Sequence, residues 1–593
     1  MIRQSIQNIR QNYYMPVLGL LLSIKLIISP SFMEIQYRPS AAYGLNIIGT
    51  ILVLYSVWFL FRQNRNRFIY AFTVYALSSL LIVTQIVYIR YFTRPVSLYA
   101  LLQLANLQGL GNSIWSLMSF SDLVMLFDVP FILLFLLPGI KKQIIERKKA
   151  LSSMAFSIGM ILMLIVPVHM KFVQNKPLLY PWREWENLIH YNIVEYQFID
   201  FFITVTSRTR LSLNTHDQDQ IKHWLEDNKQ YNSFQYRDEL FGVGKKKNII
   251  VIQCEALGNF VINRKHNNRE LTPNVNRLIK ESMYFSHHHC QNFHGGTSDA
   301  ELILLTSIFP LMKGSTFFRY PGNYYTALPS LLKDEGYTTA AFHGNQKSFW
   351  NRGESYPSLG IDEFYDAEKM FGKKEWINDD EKVFDKSISI MKSLEKPFFS
   401  IIITIETHLG ADLLNINGYF EAIHKLDASL GKFIANLKQS GLYDDSIIIL
   451  YGDHIPYLKY GEIVRRDTSL AWIQKPGREV PFIMHIPGVA PAVISRITAQ
   501  VDAYPAIAYI MGIDPGKYAG HIMGKNMITT RDSYALTYPD EYLSDDAKVS
   551  PKELMHRKTA FDIGDLIIRS NYFSEYINKV AASTSSREDK ARM

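Results

Sequence analysis

Residues 446–454 read Ser446-Ile447-Ile448-Ile449-Leu450-Tyr451-Gly452-Asp453-His454, an unbroken apolar run that ends in an acid and a histidine. A short apolar run stopped by glycine reads as a strand buried on both faces, the kind found in parallel sheets. The same grammar recurs along the chain. Asn248–Gln253 leads into Cys254-Glu255, Thr338–Phe342 into His343, and Phe398–Ile405 into Glu406-Thr407-His408, with Val480–Ile486 a further strand. Between these runs, Asn274–Met283, Thr326–Glu335, Asp380–Leu394 and Tyr419–Ser440 carry helical spacing. In the last, Ile423, Leu426, Leu430, Phe433 and Leu437 form one stripe. Strand alternating with helix from Lys247 onward predicts βαβ units and a mainly parallel α/β sheet covered on both faces. In open α/β sheets the reactive crevice lies at the carboxyl ends of the strands. Four strands therefore deliver acids and histidines to one edge.

Between the first two of these strands stands His294-Gly295-Gly296-Thr297-Ser298-Asp299-Ala300-Glu301. The glycines permit a tight turn, and Ser298 with Glu301 fits a capping box, so Thr297 is expected at a helix N-terminus. Exposed N–H groups and the positive dipole end there favour a phosphate, and equally the alkoxide of the threonine. Glu255, Asp453, His454 and the Thr297 oxygen compose a four-ligand N/O set for a divalent cation. Such an ion lowers a hydroxyl pKa and polarises a phosphoryl oxygen. The rival cluster His287-His288-His289-Cys290 is weaker, because neighbours on a strand point to opposite faces and cannot all chelate one ion.

The 593 residues include 63 Lys+Arg, 55 Asp+Glu and 48% hydrophobic residues, which excludes a disordered chain. Residues 1–176 hold 16 Lys+Arg and only 4 Asp+Glu, so the excess positive charge belongs to the first third. That placement gives no reason to expect nucleic acid as a partner. Two cysteines, Cys254 and Cys290, are too few for a disulfide framework. The first third reads as membrane. Tyr14–Met33, Tyr43–Phe61, Ile69–Ile89, Ser119–Gly139 and Ser152–Met170 each approach the roughly 20 apolar residues that a spanning helix needs. Arg3 and Arg10, then Arg62, Arg65 and Arg67, then Lys141, Lys142, Arg147, Lys148 and Lys149 alternate with loops holding only Arg38, Arg90 and Arg94. The positive-inside rule then puts the N-terminus in the cytoplasm, and five crossings put everything after about residue 171 outside. The first stretch is expected to stay as an anchor. Lys25, Asp122 and Asp128 are intramembrane charges that would either mark a lipid-headgroup path or, as the favoured reading, reflect a Lys25 that snorkels and two aspartates near the outer interface. With no paired buried charges in view, the spans read as an anchor, not a transporter. The expected divisions are a transmembrane domain at 1–172, a juxtamembrane helical linker along the membrane surface at 173–245, a catalytic domain at 246–570 and a loose tail at 571–593.

Together these residues resemble the lipoteichoic acid synthase family, membrane glycerophosphotransferases with a sulfatase-like extracellular domain of the alkaline phosphatase superfamily. The resemblance covers nearly the whole chain. It is carried by Glu255, Leu271-Thr272-Pro273-Asn274, Gly296-Thr297-Ser298-Asp299-Ala300-Glu301, Phe342-His343-Gly344-Asn345, Ser348-Phe349-Trp350-Asn351-Arg352, Glu406-Thr407-His408 and Tyr451-Gly452-Asp453-His454. It implies five transmembrane helices plus the α/β domain, with Thr297 as nucleophile. It further implies that Glu255, Thr297, Asp453 and His454 bind Mn²⁺ or another divalent cation such as Mg²⁺. His343, Asn345, Trp350, Arg352 and His408 match positions lining a glycerophosphate pocket. Arg352 would clamp phosphate, Trp350 would cover the glycerol carbons, and a histidine, with His408 favoured over His343, would protonate the leaving alkoxide. The implied donor is phosphatidylglycerol, and the implied acceptor a glycolipid or a growing lipoteichoic acid chain, at the plasma membrane. Asn345 stands where an acidic residue is expected and Ala256 where serine is common. Neither a small-residue processing site nor a sulfatase Cys/Ser-x-Pro-x-Arg motif is evident, and the absence of the former suits a tethered primase or accessory member. The alternative is a phosphoethanolamine transferase of the same fold.

Overall fold

The computed structural model describes residues 14–33, 40, 42–92, 94–107, 118–136, 140, 143–174, 176, 178–179, 184–206, 210–229, 239–408, 414–473, 477–538, 541–546 and 548–574. The chain divides into two compact units, one of Met1–Leu101 with Gly109–Arg208, the other of Leu102–Gln108 with Thr209–Met593.

Among the described residues of the first unit, four helices are long and apolar enough to cross a membrane: Tyr14–Phe32, Tyr43–Leu60, Asn64–Arg90 and Lys149–Val173. The stretch expected as a fifth crossing, Ser119–Gly139, forms a 3₁₀ turn at Phe120–Leu123 that runs into a helix at Val124–Leu136 containing Pro130. Residues 137–139 lie outside the described part. The helices at Tyr43–Ser56 and Lys149–Val168 cross closely where Gly49 meets Gly159. A Cβ on Gly49 would stand 2.9 Å from the Gly159 carbonyl oxygen, the small-on-small contact that lets backbones approach in lipid.

The charges of this unit correct two expectations. Lys25 does not snorkel: it is 5% exposed, donates to Asp128 Oδ1 at 2.7 Å and Ser79 Oγ at 2.9 Å, and lies over the Tyr75 ring. The Tyr75 hydroxyl donates to the same carboxylate. Asp122, fully buried, is paired with Arg90 at 2.5 and 2.8 Å. The helices thus do contain paired buried charges. A lone ammonium or carboxylate in hydrocarbon costs several kcal/mol, and pairing inside the bundle avoids most of that.

The second unit is built on one eight-stranded sheet: β1 (Asn248–Cys254), β2 (Met283–His289), β3 (Thr338–His343), β4 (Glu363–Tyr365), β5 (Phe398–Ile403), β6 (Ser446–Gly452), β7 (Glu479–His485) and β8 (Ala492–Ala499). The spatial order is β8-β2-β7-β6-β1-β5-β3-β4, with β7 alone antiparallel to its neighbours β2 and β6. The sheet is therefore mainly parallel, as the apolar runs predicted. Every residue of β1, β5 and β6 is buried, because helices pack on both faces. The helix Ile416–Gln439 turns its stripe of Ile423, Leu426, Leu430, Phe433 and Leu437 into this core. Three helices are shorter than expected: Pro273–Ile279 stops before Ser282, and Met283 opens β2, while the others run only over Leu328–Asp334 and Asp380–Met391. The helix Thr215–Lys229 belongs to this unit, with Trp224 stacked on His556 at 4.4 Å and donating to the His556 carbonyl at 2.8 Å. The start of the expected tail is packed. Phe573 is 2% exposed and Asn571 Oδ1 accepts from Tyr324 N, while residues 575–593 lie outside the described part.

Candidate active site

Glu255 follows β1, and Asp453 and His454 follow β6, the strand paired in parallel beside it. Parallel pairing puts the carboxyl ends of both strands at one edge, so these side chains meet. Gly452 is needed at this point: a Cβ there would lie 2.2 Å from the Leu257 carbonyl oxygen. Thr297 opens the helix Thr297–Thr306, with Gly296 as its N-cap at φ 50°, ψ −120°, a conformation that only glycine adopts without strain. The capping box expected from Ser298 and Glu301 does not form. Ser298 Oγ donates back to the Gly295 carbonyl, and it is Asp299 whose carboxylate accepts from Phe293 N at 2.9 Å and Gly295 N at 2.8 Å. Asp299 thus fixes the loop that delivers Thr297.

Thr297 Oγ1 donates to Glu255 Oε2 at 3.1 Å. His454 Nε2 lies 3.4 Å from Glu255 Oε1 and 3.5 Å from Asp453 Oδ2. Ligand atoms of Glu255, Asp453 and His454 all lie within 4.8 Å of one another. The four residues singled out as metal ligands are therefore brought together. Their donor set fits a divalent cation on three counts. Asp453 Oδ1 accepts from Ala256 N and His454 N, whereas Oδ2 is buried without a hydrogen-bond partner. His454 Nδ1 faces the Ile455 carbonyl at 3.0 Å, which fixes that nitrogen as the N–H and turns Nε2 toward the acids. Finally, two buried carboxylates side by side repel unless a positive charge lies between them. In the free protein, protons do part of that work. Burial would raise Glu255, but neighbouring His454 prevails and holds it down to about 2. Asp453 is pushed well above the carboxylate range by burial and by Glu255. His454 stays well above the imidazole range against its burial, held up by Asp453, Tyr457 and Glu255.

The expected substrate residues lie at or past the carboxyl ends of β3 and β5. His343 ends β3, with Nδ1 on the Ile403 carbonyl at 3.1 Å and Nε2 buried and unpartnered. Burial, then the Arg352 guanidinium, holds its pKa well below the usual imidazole value, so His343 presents an acceptor nitrogen. His408, past β5, is only half-buried. Its turn is held by Asp380, whose carboxylate accepts from Ile405 N at 2.9 Å and Glu406 N at 3.1 Å. Trp350 reaches the nucleophile loop: its ring atom Cζ2 would lie 3.5 Å from a Cβ on Gly296. Trp350 and Asn351 both have positive φ, 54° and 55°, a local strain that concentrates at ligand clamps. Asn345 is buried and its Oδ1 accepts from Gln346 N at 2.7 Å. Arg352 is not an open fork. It is fully buried, and its Nε and Nη2 edge is taken by Glu301 at 3.1, 3.0 and 2.6 Å, while Tyr356 donates to Glu301 Oε2 at 2.5 Å. The remaining amino group, Nη1, donates to the Phe349 carbonyl at 3.4 Å. The Nε/Nη2 edge of Arg352, expected to clamp phosphate, is thus already taken by Glu301.

Asp299, Glu301, Asp380 and Gln500, whose Nε2 donates to the Asp453 carbonyl at 2.8 Å, support the site and were not expected there. Asp299 and Glu301 each had a local signal, an acid just past a glycine turn and the third residue of a capping box, but neither signal pointed to the partner the side chain takes. The triple histidine stands as the strand period requires: His288 is buried against Thr498, whereas His287 and His289 lie on the side of Glu479.

Comparisons with known proteins cover both units. The lipoteichoic acid synthase N-terminal domain model matches residues 2–212, and the sulfatase model matches residues 247–513. A lipoteichoic acid synthase-like protein of Bacillus subtilis (strain 168) is 30% identical over 509 residues, spanning 79% of this chain and 80% of that protein. Lipoteichoic acid synthase 2 of the same organism is 29% identical over 478 residues, 75% of this chain and 72% of that protein. Among solved structures, a lipoteichoic acid synthase from Listeria monocytogenes superposes with a TM-score of 0.51 at 25% identity, covering 60% of this chain and 98% of that one.

Proposed function

The chain belongs to the lipoteichoic acid synthase family, and from that premise we propose that it transfers glycerophosphate from phosphatidylglycerol to a glycolipid or growing lipoteichoic acid chain. The observation that carries this reading is the buried contact of Thr297 Oγ1 with Glu255 beside Asp453 and His454. Phosphoethanolamine transfer, the alternative on the same fold, is not favoured by the relatives found.

A divalent cation, Mn²⁺ or Mg²⁺, held by Glu255, Thr297, Asp453 and His454 would lower the pKa of the threonine hydroxyl and draw charge from a phosphoryl oxygen. The chain's own residues supply the rest. Thr297 Oγ1 attacks phosphorus, the bond from phosphorus to the diacylglycerol oxygen breaks, and the glycerophosphoryl group is left on threonine. The hydroxyl proton passes to solvent or a neighbouring base. The leaving alkoxide needs a proton, and His408 is the better placed to give one, since His343 is kept neutral by burial and Arg352. Arg352 Nη1 and the ring of Trp350 orient the phosphate and glycerol. An acceptor hydroxyl then attacks the same phosphorus, with His408 taking up its proton, and releases Thr297 by microscopic reversal.

The membrane places lipid donor and enzyme on one surface, raising the donor's effective concentration. In this reading the protein is a multi-pass plasma-membrane protein with a cytoplasmic N-terminus and an extracellular catalytic domain. The fifth crossing is the 120–136 segment, whose shortness is offset by the Lys25–Asp128 and Arg90–Asp122 pairs that hold it to its neighbours. The test is diacylglycerol release from labelled phosphatidylglycerol by the purified protein with and without Mn²⁺. Metal-dependent release, lost in Thr297→Ala, is expected; undiminished release by the variant overturns the mechanism.

A further inference from the structure

The helix Ile193–Thr206 follows the last spanning-length helix of the first unit and is built inside out. Phe198, Phe201, Phe202 and Val205 are 44, 57, 62 and 45% exposed, and their spacing puts them on one stripe. The polar side chains face the protein instead. Glu195 is 1% exposed and Asp200 fully buried. The Asp200 carboxylate accepts from Ser97 Oγ at 3.0 and 3.1 Å and from Leu98 N at 2.7 Å. Gln197 donates to the Val96 carbonyl at 2.7 Å. At the helix start Asn192 accepts from Val194 N and Glu195 N and donates to Thr50 Oγ1 at 2.9 Å.

A helix lying on a membrane surface keeps its charged face toward water and dips only its apolar side. This helix has no charged outer face to keep there. Its outward stripe belongs with the exposed apolar faces of the spanning helices in the same unit, among them Leu20 at 63%, Leu45 at 44% and Leu77 at 61%. We propose that residues 193–206 are embedded in the hydrocarbon of the bilayer, with lipid as the occupant of the Phe198–Val205 face. The helix does not cross: its 14 residues span about 21 Å, short of the roughly 30 Å of the hydrocarbon core. The segment leading to the catalytic unit then leaves the membrane after Thr206. This inference rests on the membrane reading of the first unit and is independent of the transfer chemistry.

The test uses the full-length protein reconstituted in phosphatidylglycerol–phosphatidylcholine vesicles. Phe201→Cys, Val205→Cys, Leu20→Cys, Leu77→Cys and Lys222→Cys are each nitroxide-labelled, the native Cys254 and Cys290 being buried. Collision with oxygen, which partitions into lipid, is compared with collision with a water-soluble nickel chelate. The oxygen-to-nickel ratio at 201 and 205 is expected to match that at 20 and 77 and to exceed that at exposed Lys222 by about fivefold or more. A ratio at 201 and 205 equal to that at 222 places the helix in water and overturns the proposal. Protection of 201 and 205 from both reagents shows a protein partner or second copy on the stripe and overturns it equally. Ratios at 20 and 77 as low as that at 222 refute the membrane reading itself and the proposal with it.

Discussion

Glu301→Gln is a stringent test of how the nucleophile is held. Glu301 and Arg352 are both 0% exposed, joined by contacts of 3.1, 3.0 and 2.6 Å, and Tyr356 completes the carboxylate. The substitution keeps the shape and removes the charge, so a guanidinium is left buried with a neutral partner. Breaking a buried pair from one side costs about 3–5 kcal/mol, whereas replacing both partners with apolar residues of similar volume is often neutral. At roughly 2 °C per kcal/mol for a domain of this size, the catalytic unit should melt about 6–10 °C lower. The double variant Glu301→Leu with Arg352→Met should lose less than the single variant. The assay is thermal unfolding of the detergent-solubilised protein by intrinsic fluorescence, reading the transition of the catalytic unit because two units need not unfold together. Turnover should fall in the single variant, since Glu301 lies one turn along the helix that begins at Thr297. A shift under about 1 °C, or a double variant that loses the sum of the two singles, would refute the claim that this pair is a buried, mutually dependent unit.

Other expectations follow from the same geometry. Thr297→Ala should lower diacylglycerol release by about 1,000-fold or more while Thr297→Ser keeps measurable release, since the serine retains the hydroxyl; equal loss in both would count against a hydroxyl nucleophile. Gly296→Ala meets no close atom, its nearest neighbour being Trp350 Cζ2 at 3.5 Å, so its cost is the backbone strain of φ 50°, about 1–3 kcal/mol. Turnover should therefore drop about tenfold or more through a displaced Thr297, and wild-type kinetics in that variant would show the turn to be unimportant. Because Asp453 and His454 hold protons in the free site, Mn²⁺ binding should release protons and tighten as pH rises, which titration calorimetry in buffers of different ionisation enthalpy reads directly; proton-neutral binding would contradict the assignment. His556 is lowered to about 4, by burial first, so its contribution to stability is present above pH 6.5 and lost as pH falls toward 4. The full shift is worth about 3 kcal/mol, nearer 2 after solvent screening, and His556→Phe should flatten the acid limb of the melting curve in that window.

The sequence made the sheet legible where strands are buried on both faces and fill with Ile, Val and Phe, as in β1, β5 and β6. It hid the start and the burial of β2: helical spacing was read through Met283, and Ser286, His287, His288 and His289 are polar yet two of the histidines are buried by neighbours distant in the chain. It also hid β8, an edge strand with its first residues exposed. Glu255, Asp453 and His454 were readable because each sits one or two residues past a strand and parallel pairing brings the two strand ends together, whereas Thr297 was signalled by the glycine turn before its helix. What surrounds that centre was not, and Glu301 shows why. Three residues after a serine at a helix start, it carries the local signature of a capping box. That signature states what the side chain could accept nearby and is silent about a competing donor 51 residues on.

Arg352 is that donor, and a charge-assisted, bidentate partner outcompetes a single backbone N–H. The outcome changes the chemistry assigned to Arg352 as much as the structure assigned to Glu301. An arginine whose fork is spent on a buried glutamate cannot grip a phosphate with two parallel bonds. It can hold its remaining amino group rigidly at one point, because the Glu301 and Tyr356 contacts fix the guanidinium plane. Lys25 and Asp128 repeat the logic across 103 residues. In both places the sequence shows which groups must find partners, and only the fold decides which partner each one takes.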